Sequence, residues 1–214
     1  MTAGQPLWLT VLSPRTRDRA KYRMKSQDVV ILLKLVSLEH EERKGGGNPR
    51  LDVHREDPFS VRGLEASLGI SKTEVNASIN RSISSGLAVK DRNSGRPKPN
   101  RRNLCDFIVH GLKFVFPARP GAMTRGVPTA FAAPSLKSLL ISAGEYIYVW
   151  PFAKGKVQGQ SLEPLFKSVP EAVQIDERLY EYLALVDAIR IGNQRENGLA
   201  AARISERLLK NDQR

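Results

Sequence analysis

The sequence contains a single cysteine, Cys105, and this scarcity excludes two classes of structure. One cysteine cannot form an internal disulfide, and it cannot supply a thiolate metal cluster. No apolar run approaches the roughly 20 residues that a helix needs to cross a bilayer. The apolar stretch at residues 6–12 is too short for the hydrophobic region of a signal peptide, and it precedes the basic residues instead of following them. We therefore expect a cytoplasmic protein without a membrane span.

Motifs of catalysis and cofactor binding are missing as well. The sequence has no H-E-x-x-H, no nucleophile elbow and no C-x-x-C pair. The stretch "KGKVQGQS" (154–161) lacks the Gly-Lys-Ser/Thr ending that a phosphate loop requires. Cys105 and His110 fall on different faces of a predicted helix, which makes them a poor nucleophile and base pair. The spacing of His40 and His54 among nearby carboxylates is too loose to indicate a metal site. We expect no enzymatic activity, no cofactor and no metal.

The basic residues, by contrast, are plentiful and unevenly placed. The formal net charge is +12, of which residues 1–25 carry +5 and residues 61–125 carry +8. Residues 26–60 carry −2, and residues 126–214 carry only +1. A localised basic surface favours a polyanionic partner, and nucleic acid is the first candidate. The alternative is a face that serves only solubility.

Residues 60–86 predict two short helices joined through a glycine. Ser60 is a good N-cap for the first helix, and Gly69 can adopt the positive φ that ends it. Ser71 and Glu74 have the spacing of a capping box that starts the second helix. This helix has a four-residue apolar repeat that predicts a buried stripe of Val75, Ile79 and Ile83, and Gly86 ends it. Two helices arranged in this way predict a helix-turn-helix.

The side chains left on the outer face of the second helix have the chemistry of base recognition. Asn and Arg can pair with adenine and guanine edges in the major groove, and Thr and Ala can contact a thymine methyl. Residues near the N-terminal end of a recognition helix commonly reach the bases. The alternative is a polar, solvent-exposed face of an ordinary helical hairpin. The candidate base-reading residues are Lys72, Thr73, Asn76, Ala77, Asn80 and Arg81.

A basic segment follows this helix at residues 86–102. It begins as a short strand with Leu87 and Val89 on one side and continues into a tip rich in Gly, Pro and Asn. A basic β-loop directly after a recognition helix is typical of a wing that contacts phosphates or enters the minor groove. Two prolines argue against a regular return strand and favour an extended arm. The candidate wing cations are Lys90, Arg92, Arg96, Lys98, Arg101 and Arg102.

The pattern "FSVRGLEASLGISKTEVNASINRSISSGLAVKD" resembles the winged helix-turn-helix of bacterial transcription regulators, in particular MarR-like ones. The resemblance covers residues 26–102 and implies a second helix that reads the major groove beside a wing on the backbone. One position departs from the pattern. Such motifs often have alanine after the leucine of the first helix, where this sequence has Glu65 followed by Ala66. This departure predicts either slightly splayed helices or a register shifted by one residue.

The segments around this motif have simpler interpretations. Residues 26–44 predict a helix, with Ser26 able to cap it, that packs behind the helix-turn-helix. The composition of residues 45–58 is that of a loop or linker. Residues 1–25 are either a flexible arm that follows phosphates or the solvated start of a helix. Residues 103–121 predict a helix that stops at Gly111, followed by a short strand.

The C-terminal half contains less distinctive patterns. We interpret residues 119–134 as an ordered connector and residues 145–151 as a strand stopped by proline. Residues 176–192 and 195–210 predict two amphipathic helices, the first capped by Asp176. Such terminal helices either dimerise the chain or pack within the monomer.

We therefore expect a mainly α protein with a small β content. A basic arm (1–25) and a winged helix-turn-helix domain (26–117) precede a small α+β region (118–214) that ends in two helices. The expected function is that of a sequence-specific, homodimeric bacterial transcription regulator that binds double-stranded DNA. One alternative is an antitoxin-type DNA-binding protein whose C-terminal half binds a protein partner. Another is a regulator that responds to a small molecule bound between the wing domain and residues 145–151. An RNA-binding role is disfavoured because residues 61–102 contain no aromatic side chain for base stacking.

Overall fold

A computed structural model describes residues 23–44, 56–137 and 147–210 of the chain. Most of the predicted basic arm and of the predicted linker at 45–58 therefore lies outside the described residues. Helices predominate, and the strands form two small sheets, so the expected mainly helical composition is confirmed. In chain order the elements are α1 Ser26–Lys44, α2 Val61–Leu68, α3 Lys72–Ser84, β1 Ala88–Lys90, β2 Pro97–Pro99, α4 Arg101–Asp106, a π-helical turn Phe107–Gly111, α5 Leu112–Val115, β3 Pro120–Thr129, a 3-10 turn Ala130–Ala132, β4 Tyr148–Pro151, β5 Val157–Leu162, α6 Val169–Ala172, α7 Glu177–Ile191 and α8 Gln194–Leu209.

Helix α1 has the bounds that the sequence predicts and forms the centre of the molecule. Its residues from 27 to 37 are all buried, because the helix is apolar on nearly every side and must be covered all round. It packs on α3 on one side and on α7 on another. The helix therefore connects the predicted reading helix to the C-terminal half.

The caps of α2 and α3 largely follow the prediction. The Ser60 hydroxyl accepts a hydrogen bond from the Gly63 amide at 2.9 Å, and Gly69 ends α2 with a φ of 63°. The Ser71 hydroxyl accepts from the Glu74 amide at 3.5 Å. The returning half of the predicted capping box is wrong. The Glu74 carboxylate instead accepts from Lys25 Nζ, at 3.1 Å for the shorter contact, because that ammonium is the stronger donor.

The segment after α3 is a regular hairpin, so the predicted extended arm is wrong. Strands β1 and β2 pair antiparallel, with Val89 opposite Lys98. Ladder bonds run from the Asn100 amide to the Leu87 carbonyl and from the Asp91 amide to the Arg96 carbonyl. The two prolines of β2 lie at the alternate positions, where an amide would point away from β1, so they remove no bond.

Residues 101–115 form one nearly continuous helical segment. The predicted stop at Gly111 is wrong, because the chain passes it through the π-helical turn and continues as α5. The predicted short strand that follows is also absent from the described residues 112–117, where α5 and a bend occupy its place. Cys105 is buried and lies 3.3 Å from the Ser205 hydroxyl, whereas His110 is exposed.

The expected connector at 119–134 is instead mainly the ten-residue strand β3. Strand β4 lies where a strand was expected, within residues 145–151. Strand β3 pairs antiparallel with both β4 and β5, and these two pair parallel, so the small sheet closes on itself. Small residues allow this close approach. A Cβ on Gly126 would lie 2.0 Å from the Trp150 carbonyl oxygen, so no larger residue fits there without a backbone shift.

The two predicted C-terminal helices are present as α7 and α8, and Asp176 caps α7 as predicted. The predicted amphipathic character of α7 is wrong, because every residue from Glu181 to Ile189 is buried. Asp176 Oδ1 accepts from the Leu179 amide at 2.8 Å. Lys34 Nζ and the Ser37 hydroxyl, both on α1, also bind this carboxylate, at 2.8 and 2.9 Å. Asp187 of α7 accepts from Thr129 and from the Trp150 indole, at 2.9 and 2.6 Å, which attaches the sheet to the helices. One hydrophobic core runs across residue 117, and the domain boundary drawn there stays a prediction.

Candidate nucleic-acid interface

The outer face of α3 presents a compact group of polar side chains. Lys72, Thr73, Asn76 and Asn80 are exposed, as predicted, and Ala77 is half-buried. The side chains of Thr73, Asn76 and Asn80 make no hydrogen bond within the part of the chain that the structure describes. Lys72 lies 3.7 Å from the Glu65 carboxylate in an exposed ion pair. We call these five residues the α3 face; its amides and hydroxyl have donors and acceptors available for a ligand.

The buried side of α3 differs from the predicted stripe. Val75 is fully buried, but Ile79 is only half-buried and Ile83 is 38% exposed. A step of four residues turns an α-helix by about 400°, so each step moves a side chain roughly 40° around the axis. Side chains spaced strictly four residues apart therefore pass from the core to the surface within two steps. The residues that stay inside are Val75, Ser78, Arg81 and Ser82.

Arg81 is the main correction to the predicted base-reading residues. Its side chain is 6% exposed and forms a two-pronged ion pair with Asp28 of α1. Arg81 Nε lies 2.9 Å from Asp28 Oδ2, and Nη2 lies 2.7 Å from Oδ1. The hydrogen bond from Arg81 to Asp28 raises the pKa of this guanidinium further above its already high value. Arg81 does not face outward; it holds the α3 face in position on α1.

Four exposed cations lie on the hairpin and at the start of α4: Lys90, Arg92 and Lys98 on the hairpin, and Arg102 in the first turn of α4. None of them makes an ion pair with the residues that the structure describes. We call this set the hairpin cations. Between the strands, Gly95 turns the chain with a φ of 69°, and the Asp91 carboxylate accepts from the Asn93 and Ser94 amides at 3.0 and 2.8 Å. The bonds from Ser94 and Asn93 lower the pKa of Asp91, so the carboxylate that shapes the tip stays charged.

The other two predicted wing cations have internal partners. Arg96 is 38% exposed, lies over the Phe59 ring at 4.7 Å, and contacts Glu42 and Asp57, each at 3.1 Å. Arg101 is 2% exposed and pairs with Glu39 of α1. Arg101 also donates to the Leu208 carbonyl of α8 at 3.4 Å. The prediction that Arg101 contacts phosphate is therefore wrong, because the side chain sits at a junction of α1, α4 and α8.

Sequence reasoning missed the acidic residues that secure this surface. Asp28 and Glu39 both belong to α1, and each neutralises an arginine that the sequence analysis assigned to DNA. Asp28 offered one signal, since it is the only carboxylate among the buried residues 27–37 of α1. A charge in such a place needs a partner, but the sequence cannot name it. Ser168, whose hydroxyl donates to the Leu68 carbonyl beside the turn into α3, had no signal at all.

A cavity of about 600 Å³ lies between α1, α7 and α8. Charged side chains of both signs line it, including Lys34, Glu41 and Arg178. The effector pocket predicted between the hairpin region and residues 145–151 is a different location and stays a prediction. Among residues 23–44, 56–137 and 147–210, no three His, Cys, Asp or Glu side chains are grouped closely enough to bind a metal ion. None of the helices in these ranges has the length and apolar character needed to cross a membrane.

Comparison of the chain with protein-family models, curated proteins and solved structures found no match. Its function must therefore be inferred from its own side chains. The geometry combines an α3 face with polar groups, an anchored opposite side, and four cations on the following hairpin and the start of α4 that have no ion-pair partner among the described residues.

Proposed function

We propose that residues 26–117 form a winged helix-turn-helix domain and that the protein is a sequence-specific, DNA-binding transcription regulator. The observation that carries the proposal is the division of α3 into two sides. One side is held to α1 by the Asp28–Arg81 pair, and the other presents Thr73, Asn76 and Asn80, whose side chains have no hydrogen-bond partner among the described residues. A helix that reads bases needs both, because its side chains must be free while its axis is fixed.

The chemistry of the α3 face supports base recognition. An Asn amide can donate from its NH2 group to N7 of adenine and accept with its oxygen from the exocyclic amine, which gives a two-bond contact in the major groove. Lys72 and Thr73 stand in the first turn of α3, the end that commonly enters the groove. A face that served solubility alone would more often carry Glu and Lys than free amides.

The hairpin cations support contacts with the DNA backbone. Lys90, Arg92, Lys98 and Arg102 are exposed and unpaired among the described residues, so binding a phosphate would not require breaking an internal ion pair. Such contacts position a protein on the duplex without reading its sequence. In this proposal the α3 face provides sequence specificity, and the hairpin cations provide affinity for any duplex.

The proposal includes a homodimer formed through α8. Leu199 and Leu209 are 45% and 37% exposed, on the side opposite the buried Ala200, Ile204 and Leu208. With the exposed Ala202 between them, they are spaced by three and seven residues, which keeps them on one side of the helix. Leu199→Glu is expected to halve the mass measured by light scattering. A mutant mass equal to that of the wild type would contradict this assignment.

A protein partner on the C-terminal half is the second candidate, and the same exposed α8 stripe favours it. In that case the purified chain is monomeric and gains mass only when a second polypeptide is co-expressed. A chain that is already dimeric alone, and whose mass falls with Leu199→Glu, excludes this use of the stripe.

The direct test is binding to the DNA upstream of the protein's own gene against random duplex, at two salt concentrations. We expect tighter binding to the upstream DNA, with a preference that persists at the higher salt, because base contacts depend less on released counterions than phosphate contacts do. Equal, salt-sensitive binding to both duplexes would reject sequence recognition. Absence of binding to either would reject the regulator.

The variant Asn80→Ala tests the α3 face itself. It is expected to weaken binding to the specific duplex by about 1–3 kcal/mol and to leave binding to random duplex unchanged. Gln194→Ala, at an exposed amide on α8, is the matched control and should change neither affinity. Equal losses on both duplexes from Asn80→Ala would contradict a base-reading role.

A further inference from the structure

Strand β3 and the turn between β4 and β5 bring three cations to one corner of the small sheet. The Phe152 amide donates to the Arg125 carbonyl at 3.1 Å, which fixes the turn beside β3. Gly155 then crosses Gly126 so closely that a Cβ there would lie 2.5 Å from Gly126 backbone atoms. Three of the four residues that flank these two glycines are cations, Arg125, Lys154 and Lys156, and we call these three the sheet corner. The three cations are close together because the backbones that carry them are in contact, and not because long side chains extend toward one another.

The sheet corner is free of compensating charge within the described residues. Its three side chains are exposed and make no ion pair there. The described residues between 117 and 162 contain no Asp or Glu, and the sequence has only Glu145 in that interval, outside the described residues. The positive charge of this corner is therefore directed outward, unlike that of Arg81, Arg96 and Arg101.

The neighbouring side chains extend the corner into a polar face. Arg125 lies directly across from Gln158, and both are exposed. Lys156 immediately precedes β5 and lies two residues before Gln158. Guanidinium groups bind phosphate oxygens through two parallel hydrogen bonds, and glutamine amides also donate to the nucleic-acid backbone.

We propose that the sheet corner is a second DNA-binding surface, which contacts duplex phosphates beyond the segment that α3 reads. The inference rests on the proposed function and adds a separate footprint to it. A duplex fits better than a single strand, because single-strand surfaces expose aromatic rings for stacking. Here Trp150 is 1% exposed, and Tyr148 and Phe152 are half-buried.

The fold separates this surface from the α3 face. Strand β5 leads away from the corner for six residues, about 20 Å, and six further residues follow it up to Ser168, which lies beside the turn into α3. At roughly 3.4 Å per base pair, that span corresponds to about six base pairs. A short duplex centred on α3 would thus end before the sheet corner, whereas a longer one would reach it.

The test combines a charge-removing variant with duplexes of two lengths, about 10 and about 30 base pairs, which extend about 5 and about 15 base pairs to each side of α3. The salt slope is the steepness with which the logarithm of the binding constant falls with the logarithm of the salt concentration. The triple variant Arg125→Gln, Lys154→Gln, Lys156→Gln is expected to reduce this slope by about two to three on the long duplex, since each lost phosphate contact removes about 0.9. It should leave the slope on the short duplex and the preference for upstream over random DNA unchanged. The matched control, Lys44→Gln, Lys113→Gln, Lys137→Gln, removes the same charge elsewhere.

Each outcome decides one of the two proposals. A decrease in salt slope that occurs only with the sheet-corner variant and only on the long duplex supports the second surface. Equal binding to upstream and random DNA would reject sequence recognition, but it would leave this support intact. Equal losses from both triple variants would overturn the sheet corner, because net charge would then suffice. An unchanged slope on the long duplex would overturn it as well, while a retained preference for upstream DNA would leave the α3 proposal standing.

Discussion

The helical region up to residue 117 pairs several of its cations internally, whereas the small sheet after it leaves the three cations of the sheet corner exposed. In the helical region, Arg81, Arg96 and Arg101 have carboxylate partners, and two of the three are almost fully buried. In the sheet, Arg125, Lys154 and Lys156 are exposed and unpaired within the part of the chain that the structure describes. The formal charge of +8 at 61–125 therefore overstates the surface available to DNA, whereas the near-neutral total after 126 hides a basic corner.

The comparison shows that the location of a charge decides its role more than its sign does. A buried arginine that pairs with a carboxylate holds two elements of the fold together, because leaving either group unpaired inside the protein lowers the free energy of unfolding. An exposed cation costs little to maintain and remains available to a polyanion. The two kinds can be separated by measuring folding stability and the salt dependence of DNA binding on the same variants.

Breaking the Asp28–Arg81 pair should produce the largest loss of folding stability. Asp28→Ala is expected to lower the free energy of unfolding by about 3–5 kcal/mol, because Arg81 would remain buried without its partner. Denaturant titration measures the loss. The double variant Asp28→Leu, Arg81→Met removes both charges and should recover much of the stability. A loss below about 1 kcal/mol for Asp28→Ala would show that the pair does not fasten α3 to α1.

The adjacent arginines at 101 and 102 provide a matched contrast. Arg101→Ala should lower the free energy of unfolding by about 3 kcal/mol, because Glu39 loses its buried partner. Arg102→Ala should change stability by less than about 0.5 kcal/mol and reduce the salt slope of DNA binding by about one. Denaturant titration and binding at several salt concentrations give the two quantities. Similar behaviour of the two variants would erase the distinction between paired and free cations.

Arg96 should fall between these extremes. Its two ion pairs are partly exposed and its guanidinium lies over Phe59, so Arg96→Ala should lower the free energy of unfolding by about 1 kcal/mol. Because its charge is already neutralised, the salt slope should change by less than about half a unit. Arg92→Ala is the control on the same hairpin and should show the reverse. A decrease of a full unit in the salt slope of DNA binding with Arg96→Ala would mean that DNA displaces the carboxylate partners of Arg96.

The smallest effect concerns pH. The hydrogen bond from Lys25 lowers the pKa of Glu74 below its ordinary value of 4.5. The resulting stabilisation is present above the ordinary value and is lost as the pH falls through the lower folded value. Since the pair is partly exposed and screened, it should stay below about 1 kcal/mol. Glu74→Gln should flatten the fall in stability below about pH 4.5; an unchanged pH profile would contradict this contribution.

Local patterns predicted the helices and their caps well, because capping involves residues only three apart. Ser60, Gly69, Ser71 and Asp176 all act at the helix ends that the sequence indicated. Features that depend on distant partners could not be predicted in this way. The burial of Arg81 depends on Asp28, which is 53 residues away, and that of Arg101 on Glu39, which is 62 residues away.

The errors in the β regions have a different physical origin. Prolines and glycines usually indicate loops, but here they occupy positions that a strand tolerates or requires. Pro97 and Pro99 fall where no amide is needed, and Gly126 and Gly155 allow two backbones to touch. Neither the strand β3 nor the sheet corner was visible without the pairing that explains these residues.

The buried helix α1 also has a consequence for how the chain is made. Lys34 bonds Asp176, a residue 142 positions later, so α1 leaves the ribosome long before its C-terminal cover exists. At about 5–20 residues per second, synthesis of that interval takes about 7–30 s. During this time the apolar surface that α7 later covers is open to chaperones and to other nascent chains. The half that we propose reads DNA is therefore incomplete until α7 has been synthesised.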